Sequence, residues 1–258
     1  MKTRTLDFSR YSSFKIGPVA EVALIDSKAF DSSGFFVIGG ANNLLIGPNH
    51  PPLAMLDKAF DFCELEADCI RAGGAFSTGR LASFCRKYDL AGLEFAGGLP
   101  GTVGGLVAMN AGMKRWETFG RLLWVDFGAG RVLAESIEHG YRYAKLPGVV
   151  YEAGFKRESG FDTGLEAEFK AMRANQPRDP SAGSCFKNPP NDYAGRLIEA
   201  VGLKGFRQGG MAFSDKHANF LVNTGGGTYD EAIGLIGEAK RRVFEQFGIA
   251  LETEIKIL

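Results

Sequence analysis

The sequence reads GLEFAGGLPGTVGG from Gly92 to Gly105 and continues as LVAMNAG to Gly112. Five glycines and one proline lie between Gly97 and Gly105, and no charged side chain interrupts them. A solvated loop would be more polar, because turns favour Asn, Asp and Ser beside Gly and Pro. Glycine has no Cβ, so it lets the backbone approach a ligand closely. The stretch therefore predicts a loop in contact with a large planar or phosphorylated ligand.

The first glycine segment in chain order, IGGANNLLI, runs from Ile38 to Ile46 directly after an apolar stretch, and the stretch from Gly92 to Gly112 is the second glycine segment. Two glycines let backbone N–H groups turn toward an anion, and the two asparagines that follow add side-chain donors. Such an arrangement is a candidate nest for phosphate oxygens. The segment has neither the Walker A pattern nor the GxGxxG fingerprint. Taken alone, it is also compatible with a simple β turn.

The composition argues against several classes of function. The chain has 258 residues with 30 basic and 30 acidic side chains, whereas bulk nucleic-acid binding usually needs a basic excess. No signal peptide is recognisable at the N-terminus, and no apolar run approaches the roughly 18 residues of a membrane span. We therefore expect a cytoplasmic monomer without nucleic-acid or membrane partners. No two cysteines have CxxC spacing, so we expect free thiols and no metal site; the cysteines are Cys63, Cys69, Cys85 and Cys185.

Periodicity and capping signals predict several elements. Val19–Ile25 and Phe35–Ile38 have the composition of strands, and 26–33 between them is a candidate short helix. Residues 166–175 form a candidate helix that ends before Pro177. The clearest helix runs from Thr228 to Phe247, because Thr228 and Glu231 form a capping-box pattern and Gly248 follows as a C-terminal stop.

Both glycine segments resemble signatures of the UDP-N-acetylenolpyruvoylglucosamine reductase family: the second, from Gly92 to Gly112, resembles its main glycine motif, and the first, from Ile38 to Ile46, resembles its first FAD pyrophosphate loop. The resemblance implies an α+β, vanillyl-alcohol-oxidase-type FAD-binding fold, with two α+β subdomains followed by a C-terminal α+β substrate-binding domain. Domain boundaries are expected at 1–60, 61–175 and 176–258. The resemblance implies cofactor contacts from Gly39, Gly40, Ala41, Asn42, Asn43, Gly97, Gly101, Thr102, Gly104, Gly105 and Asn110.

Three more motifs follow in the family's order: GYRYA from Gly140, AGSCFKNP from Ala182 and LETEI from Leu251. Residue by residue, they imply that Arg142, Ser184 and Glu254 are catalytic. Arg142 would stabilise negative charge on an enolate-like intermediate, Ser184 would protonate it, and a protonated Glu254 would donate a hydrogen bond to it. Lys187 and Asn188 are implied as substrate-binding residues.

The resemblance implies NADPH-dependent, FAD-mediated reduction of an enolpyruvyl nucleotide sugar in peptidoglycan precursor synthesis. The chain departs from the family pattern at Ala144, where the family has Ser, and at Met113-Lys114. No obvious insertion separates Ala171 from Ser184, which favours the shorter class without the extra tyrosine loop. KHANFLVN, from Lys216 to Asn223, also resembles a family segment; we expect it to support folding of the substrate domain and to be a candidate for nucleotide contact.

Three alternatives remain open at this stage. The same fold is compatible with an FAD-dependent oxidase of a sugar or lactone. Cys185 and His217 are candidates for the nucleophile and base of a hydrolase, although nothing in the sequence brings them together. A non-catalytic nucleotide-sugar binding protein is the third. Taken singly, an Arg, Ser or Glu is more often a surface, turn or solvated residue than a catalytic one.

Overall fold

A computed structural model describes residues 1–174 and 176–258. Its α-helices are α1 (Phe8–Tyr11), α2 (Thr78–Lys87), α3 (Val103–Ala108), α4 (Thr163–Ala174), α5 (Ala194–Ala200) and α6 (Tyr229–Phe247). Its strands are β1 (Thr3–Asp7), β2 (Val19–Ile25), β3 (Phe36–Ile38), β4 (Leu44–Leu45), β5 (Leu53–Leu56), β6 (Cys63–Leu65), β7 (Cys69–Gly73), β8 (Gly112–Met113), β9 (Trp116–Glu117), β10 (Leu122–Asp126), β11 (Arg131–Leu133), β12 (His139–Gly140), β13 (Tyr143–Ala144), β14 (Glu152–Lys156), β15 (Ser181–Ser184), β16 (Arg207–Gln208), β17 (Met211–Phe213), β18 (Phe220–Asn223) and β19 (Lys256–Ile257).

The chain forms two compact units, and each is built from several separate segments. Unit 1 contains Met1–Arg4, Val22–Gly40 and Pro52–Ala174. Unit 2 contains Thr5–Glu21, Ala41–Pro51 and 175–258. The three-part division of the sequence at 60 and 175 stays a prediction, and residue 175 itself lies outside the described residues.

Unit 1 is organised around a five-stranded antiparallel sheet of order β11-β10-β14-β7-β6. Helix α3 packs against β7 and β14. The core between the sheet and the helices is apolar, with buried side chains that include Ile70, Leu81, Leu106, Val125, Phe155 and Phe169. Most residues of a second sheet, of order β1-β2-β5-β3, also belong to unit 1, and in it β2, β5 and β3 run parallel.

Unit 2 contains a four-stranded antiparallel sheet of order β15-β18-β17-β16. A short parallel pair joins β4 to β19 through Leu44–Lys256 and Leu45–Ile257. The core of this unit takes residues from distant parts of the sequence, among them Phe14, Ile16, Leu45, Phe186, Leu221, Leu235, Ala239 and Ile255.

Helix α6 confirms the prediction from the sequence. Thr228 is its N-cap, and the Thr228 and Glu231 side chains make the reciprocal bonds of a capping box. Gly248 ends the helix in the left-handed conformation, at φ 68°. Ala232, Leu235, Ile236, Ala239 and Val243 form its buried face. Among the described residues, no helix combines the length and apolar character that crossing a membrane requires.

The predicted helix at 26–33 is wrong, because these residues form turns and irregular backbone. Local side-chain bonds compete with a helix here. The Asp31 carboxylate accepts from the Ser33 N–H at 2.9 Å, and Lys28 reaches away to Asp126 at 2.8 Å. At the C-terminal end, Lys256–Ile257 form the short strand β19, which pairs with β4.

Candidate active site

The first glycine segment ends strand β3 and turns sharply. Ala41 has a positive φ of 49°, which is uncommon for a residue with a side chain. Within the described part of the chain, the N–H groups of Gly40, Ala41 and Asn42 have no protein acceptor. Consecutive N–H groups around a left-handed residue match the description of an anion-binding nest.

The second glycine segment meets the first at one point within unit 1. A Cβ placed on Gly39 would lie 2.6 Å from Thr102 Oγ1, so only glycine fits against this threonine. Thr102 is the N-cap of α3, and its hydroxyl accepts from the Gly105 N–H at 3.3 Å. Gly39 and Thr102, which the resemblance assigns to one diphosphate site, are therefore neighbours.

The first N–H groups of α3 are already used by the protein. Val103 N–H donates to Phe76 O and Gly104 N–H to Gly74 O, each at 2.9 Å. Together with the Gly105 bond to Thr102, these contacts leave little donor capacity at this helix start. Gly104 and Gly105 would therefore contact a ligand mainly through van der Waals contact of their backbone atoms, which no Cβ covers, and less through donation from their N–H groups. Gly97 and Gly101 precede α3 in the second glycine segment, and Gly101 has φ 149°.

Asn110 is buried and makes its side-chain hydrogen bonds within the protein. Its Nδ2 donates to Glu117 Oε2 and to Gly140 O, both at 3.0 Å, and its Oδ1 accepts from Phe119 N–H at 3.0 Å. Both amide donors are thus in use. The predicted cofactor contact of Asn110 would have to come from its backbone, whereas its side chain ties the glycine segment to the strand before Arg142.

Arg142 lies at the tip of the β12–β13 hairpin with φ 61°. Its Nη2 donates to Gly112 O at 3.0 Å, at the end of the second glycine segment, and its guanidinium lies 4.9 Å from the centre of the Tyr141 ring. Met113, one of the departures from the family pattern, packs close to Gly98 in that segment. Arg142 is therefore held beside the glycine segment by contacts within unit 1.

Ser184 ends strand β15, where the pairing with β18 is irregular. The register shifts between Ser181 and Ser184, and Gly183 between them has φ 82°, a conformation that favours glycine. The next residue, Cys185, accepts at its carbonyl from the Glu254 N–H at 2.9 Å. Unit 2 therefore brings the segments of two predicted catalytic residues, Ser184 and Glu254, side by side.

Glu254 is also tied to the first glycine segment. The Asn43 Nδ2 donates to the Glu254 carbonyl at 3.1 Å, and the Lys256 N–H donates to Asn43 O at 3.0 Å. The sequence motifs do not predict this arrangement, because they imply a role for Asn43 in cofactor binding only. No local pattern announces it, because the two residues are more than 200 positions apart.

The predicted substrate residues Lys187 and Asn188 both have protein partners. Lys187 Nζ pairs with Glu252 Oε1 at 2.6 Å, and the Lys187 side chain is 16% exposed. Asn188 Oδ1 accepts from the Ala194 N–H at 3.1 Å at the start of α5. A substrate phosphate would have to replace the exposed Glu252 carboxylate as the partner of Lys187.

The hydrolase alternative finds no support in the chemistry of its proposed nucleophile. Cys185 is 1% exposed, and burial raises the pKa of its thiol, so the reactive thiolate is disfavoured. His217 Nδ1 accepts from the Asn219 N–H at 3.3 Å, which engages the ring in a structural contact. All four cysteines are free thiols, as expected.

Among the described residues, ligand-type atoms of Glu66, Asp68 and Cys69 lie within 4.8 Å of one another. The Glu66 carboxylate already pairs with Arg131 at 3.2 Å and accepts from the Cys69 thiol at 3.4 Å. A protonated thiol and a cation-paired carboxylate are poor metal ligands, so the cluster gives no reason to revise the expectation of no metal site.

Comparisons with known proteins agree over the whole chain. The family model of the C-terminal domain of UDP-N-acetylenolpyruvoylglucosamine reductase matches residues 176–258. A curated UDP-N-acetylenolpyruvoylglucosamine reductase of Helicobacter hepaticus is 47% identical, and one of Helicobacter pylori is 45% identical, each over 100% of both chains. The solved structure of UDP-N-acetylenolpyruvylglucosamine reductase from Thermus caldophilus superposes with a TM-score of 0.87 at 30% identity, covering 100% of this chain and 99% of the other.

Proposed function

The chain belongs to the family of UDP-N-acetylenolpyruvoylglucosamine reductases, and we propose from this membership that it reduces UDP-N-acetylglucosamine enolpyruvate to UDP-N-acetylmuramate. It is an oxidoreductase of peptidoglycan precursor synthesis, with FAD as cofactor and NADPH as electron donor. The observation that carries the proposal is the full-length similarity to curated reductases. The oxidase and binding-protein alternatives have no comparable support.

The residues of unit 1 and of the first glycine segment fit FAD. The N–H groups of Gly40, Ala41 and Asn42, which have no acceptor among the described residues, suit diphosphate oxygens. The missing side chain at Gly39 keeps that segment against Thr102, which supports a shared diphosphate site. The vanillyl-alcohol-oxidase-type arrangement, with FAD held by 1–60 and 61–175 and substrate by 176–258, is part of this proposal.

When bound, FAD would supply the redox chemistry, by which a hydride from NADPH reaches the β-carbon of the enol ether. Arg142 carries a permanent positive charge, so it stabilises the negative charge that develops on the substrate carboxylate. Ser184 donates a proton to the α-carbon. Serine is a weak acid, but the enolate is a strong base, so the transfer has an adequate driving force.

The remaining polar residues bind and orient the substrate. A protonated Glu254 donates a hydrogen bond to the enolate, whereas an ionised one would oppose its charge. Lys187 and the amide of Asn188 bind the diphosphate or uridine oxygens. We propose a monomeric, cytoplasmic enzyme whose partners are the nucleotide sugar and NADPH.

The test is an anaerobic visible spectrum of the purified protein, recorded alone, after NADPH, and after the enolpyruvyl nucleotide sugar. We expect a flavin absorbance that bleaches with NADPH and returns with the sugar. Bleaching without recovery would retain the flavoprotein and reject the substrate. Failure to bind flavin after addition of FAD would reject the proposal.

A further inference from the structure

Asn219, just before strand β18, makes an unusual set of contacts with the residues that follow Ser184. Its side chain is 3% exposed. The Oδ1 accepts from the Phe186 N–H at 3.0 Å, and the Nδ2 donates to the Phe186 carbonyl at 2.8 Å. The Asn219 backbone carbonyl also accepts from the Cys185 N–H at 2.7 Å. One residue thus binds three backbone groups of the Cys185-Phe186 pair.

These hydrogen bonds lie where the regular backbone pairing of β15 with β18 is interrupted. The register shift between Ser181 and Ser184, with Gly183 at positive φ, interrupts the β15–β18 pairing. A side-chain amide has the same donor and acceptor as a peptide group, so Asn219 takes over as the hydrogen-bonding partner of Phe186. Loss of this partner would leave buried backbone groups of Phe186 without a hydrogen bond, which is unfavourable.

The other edge of the Cys185-Phe186 pair is bound to the C-terminal segment. Cys185 O accepts from Glu254 N–H at 2.9 Å, and Phe186 forms a β-bridge with Thr253. The pair is therefore fixed between Asn219 on one side and the Glu254 segment on the other. Its position determines where Ser184, one residue earlier, presents its hydroxyl.

We propose that Asn219 is a positioning residue that holds the Ser184 hydroxyl in register with Glu254 for protonation of the substrate. The inference rests on the proposed function, because it assigns Asn219 an effect on the step that Ser184 performs. Proton transfer needs the donor within hydrogen-bond reach of the carbon that it protonates. Displacement by about 1 Å can lower a rate by about 100-fold.

Asn223, the last residue of strand β18, provides a matched control. It too is a buried asparagine, and its Nδ2 donates to Phe14 O and Lys15 O at 3.2 Å. Its Oδ1 accepts from the N–H groups of Gly225 and Gly227 at 3.0 Å. Asn223→Ala removes a comparable set of buried bonds, but these bonds hold other segments of unit 2.

The experiment compares N219A with N223A as FAD-loaded proteins in anaerobic stopped-flow. We expect N219A to slow oxidation of the reduced flavin by the nucleotide sugar about 10- to 100-fold, while reduction by NADPH stays within about 2-fold of the parent rate. N223A should lower the melting temperature without selective loss of either half-reaction. Equal selective losses in both variants, or none in N219A, would overturn the proposal.

A double variant separates positioning from general destabilisation. If Asn219 acts through Ser184, N219A adds little to the defect of S184A, since coupled residues are non-additive. A full multiplicative loss in the double variant contradicts the proposal. If N219A does not fold, N219S is measured instead under the same criteria. If the sugar fails to reoxidise the reduced flavin of the parent protein, the proposed function itself fails. That outcome differs from failure of the Asn219 proposal, in which the parent protein reacts normally with the sugar.

Discussion

Ser184 is the residue whose substitution tests the chemistry most directly. Ser184→Ala removes the proposed proton donor, so we expect NADPH to reduce the flavin at the normal rate and the nucleotide sugar to reoxidise it at least about 100-fold more slowly. Stopped-flow absorbance under anaerobic conditions measures both steps. Ser181→Ala, in the same strand, is the control and should leave both rates unchanged. Normal reoxidation in Ser184→Ala would remove Ser184 from the mechanism.

Gly39 offers a second test, directed at the cofactor. Gly39→Ala places a Cβ 2.6 Å from Thr102 Oγ1, so either the Thr102 side chain or the two glycine segments must shift. Overpacking of this kind costs about 1–3 kcal/mol, and we expect the FAD dissociation constant to rise about tenfold. Titration of the apoprotein with FAD measures it.

Gly237→Ala is the control for this substitution. Gly237 is exposed in the interior of α6, and a Cβ there meets no atom within 4 Å. Alanine should stabilise the helix by about 1 kcal/mol and leave FAD affinity unchanged. Unchanged affinity in Gly39→Ala as well would show that contact between Gly39 and Thr102 is not needed for the cofactor.

Individual residues differ in whether their roles can be predicted from the sequence. Ser184 and Glu254 could be selected because each lies in a motif with a distinct local pattern. The hydrogen bonds of Asn219 to Phe186 and of Asn43 to Glu254 could not, because they join residues that are 33 and 211 positions apart. The sequence around an asparagine does not indicate which distant group its side chain binds. These contacts can therefore be identified only when the pairing of the strands is known.

At the scale of the elements, strands β10 and β14 place two carboxylates opposite each other. Asp126 pairs in register with Glu152, and both are largely buried. Lys28 lies 2.8 Å from Asp126 and 2.7 Å from Glu152, while Arg71 lies 2.7 Å from Glu152. Burial alone would raise the pKa of both carboxyls, but the hydrogen bonds from these cations outweigh it, and both pKa values are lowered.

Acid stability should therefore depend on Lys28. Carboxyls with lowered pKa values stabilise the fold above their unfolded pKa values of about 3.9 and 4.3, and that contribution is lost as pH falls through the folded values. Lys28→Met raises both pKa values, so unfolding by acid should begin at a higher pH. At neutral pH the free energy of unfolding should fall by about 1–2 kcal/mol, less than for a fully buried pair, because the Lys28 side chain is 35% exposed and Glu152 keeps Arg71 as a partner.

Urea unfolding followed by circular dichroism between pH 3 and 7 measures the effect. The control is Lys2→Met, which breaks the exposed ion pair with Asp26 at 3.1 Å. Exposed pairs contribute about 0–1 kcal/mol, so this variant should follow the parent curve. Coincident curves for both lysine variants would mean that Lys28 does not control the carboxyl pair.

Elements differ in how far the sequence determines them. Helix α6 could be predicted because its cap, apolar face and terminal glycine are all local signals. The helix predicted at 26–33 does not form, and one contact that the local sequence cannot show is the bond from Lys28 to Asp126, nearly 100 residues away. The strand order β11-β10-β14-β7-β6 has no local signal either, since it depends on which strands pair and pack together in the folded chain.

At the scale of the whole molecule, sequence order and structural units do not coincide. Unit 2 contains the C-terminal segment but also Thr5–Glu21 and Ala41–Pro51. Phe14, Ile16 and Leu45 from these segments belong to its core. The family domain at 176–258 is therefore one part of a unit whose core draws on earlier segments. Sequence motifs do not reveal which distant residues complete the core of this unit.

This organisation predicts that residues 176–258 do not fold on their own. The isolated segment would expose the apolar surfaces that Phe14, Ile16 and Leu45 cover. It would also lose the pairing of β19 with β4 and the bonds from Asn223 Nδ2 to Phe14 O and Lys15 O. Small units have little stability to spare, so losses of this size are expected to abolish a cooperative transition.

Thermal unfolding of the 176–258 fragment, followed by circular dichroism, measures the outcome against the full chain. We expect a broad, non-cooperative change in the fragment and a sharp transition in the full chain. A fragment that also carries residues 5–51, joined through a flexible linker, should regain a cooperative transition, because it restores all three segments of unit 2. A sharp transition in 176–258 alone would mean that the N-terminal segments cover this core without being needed for its folding.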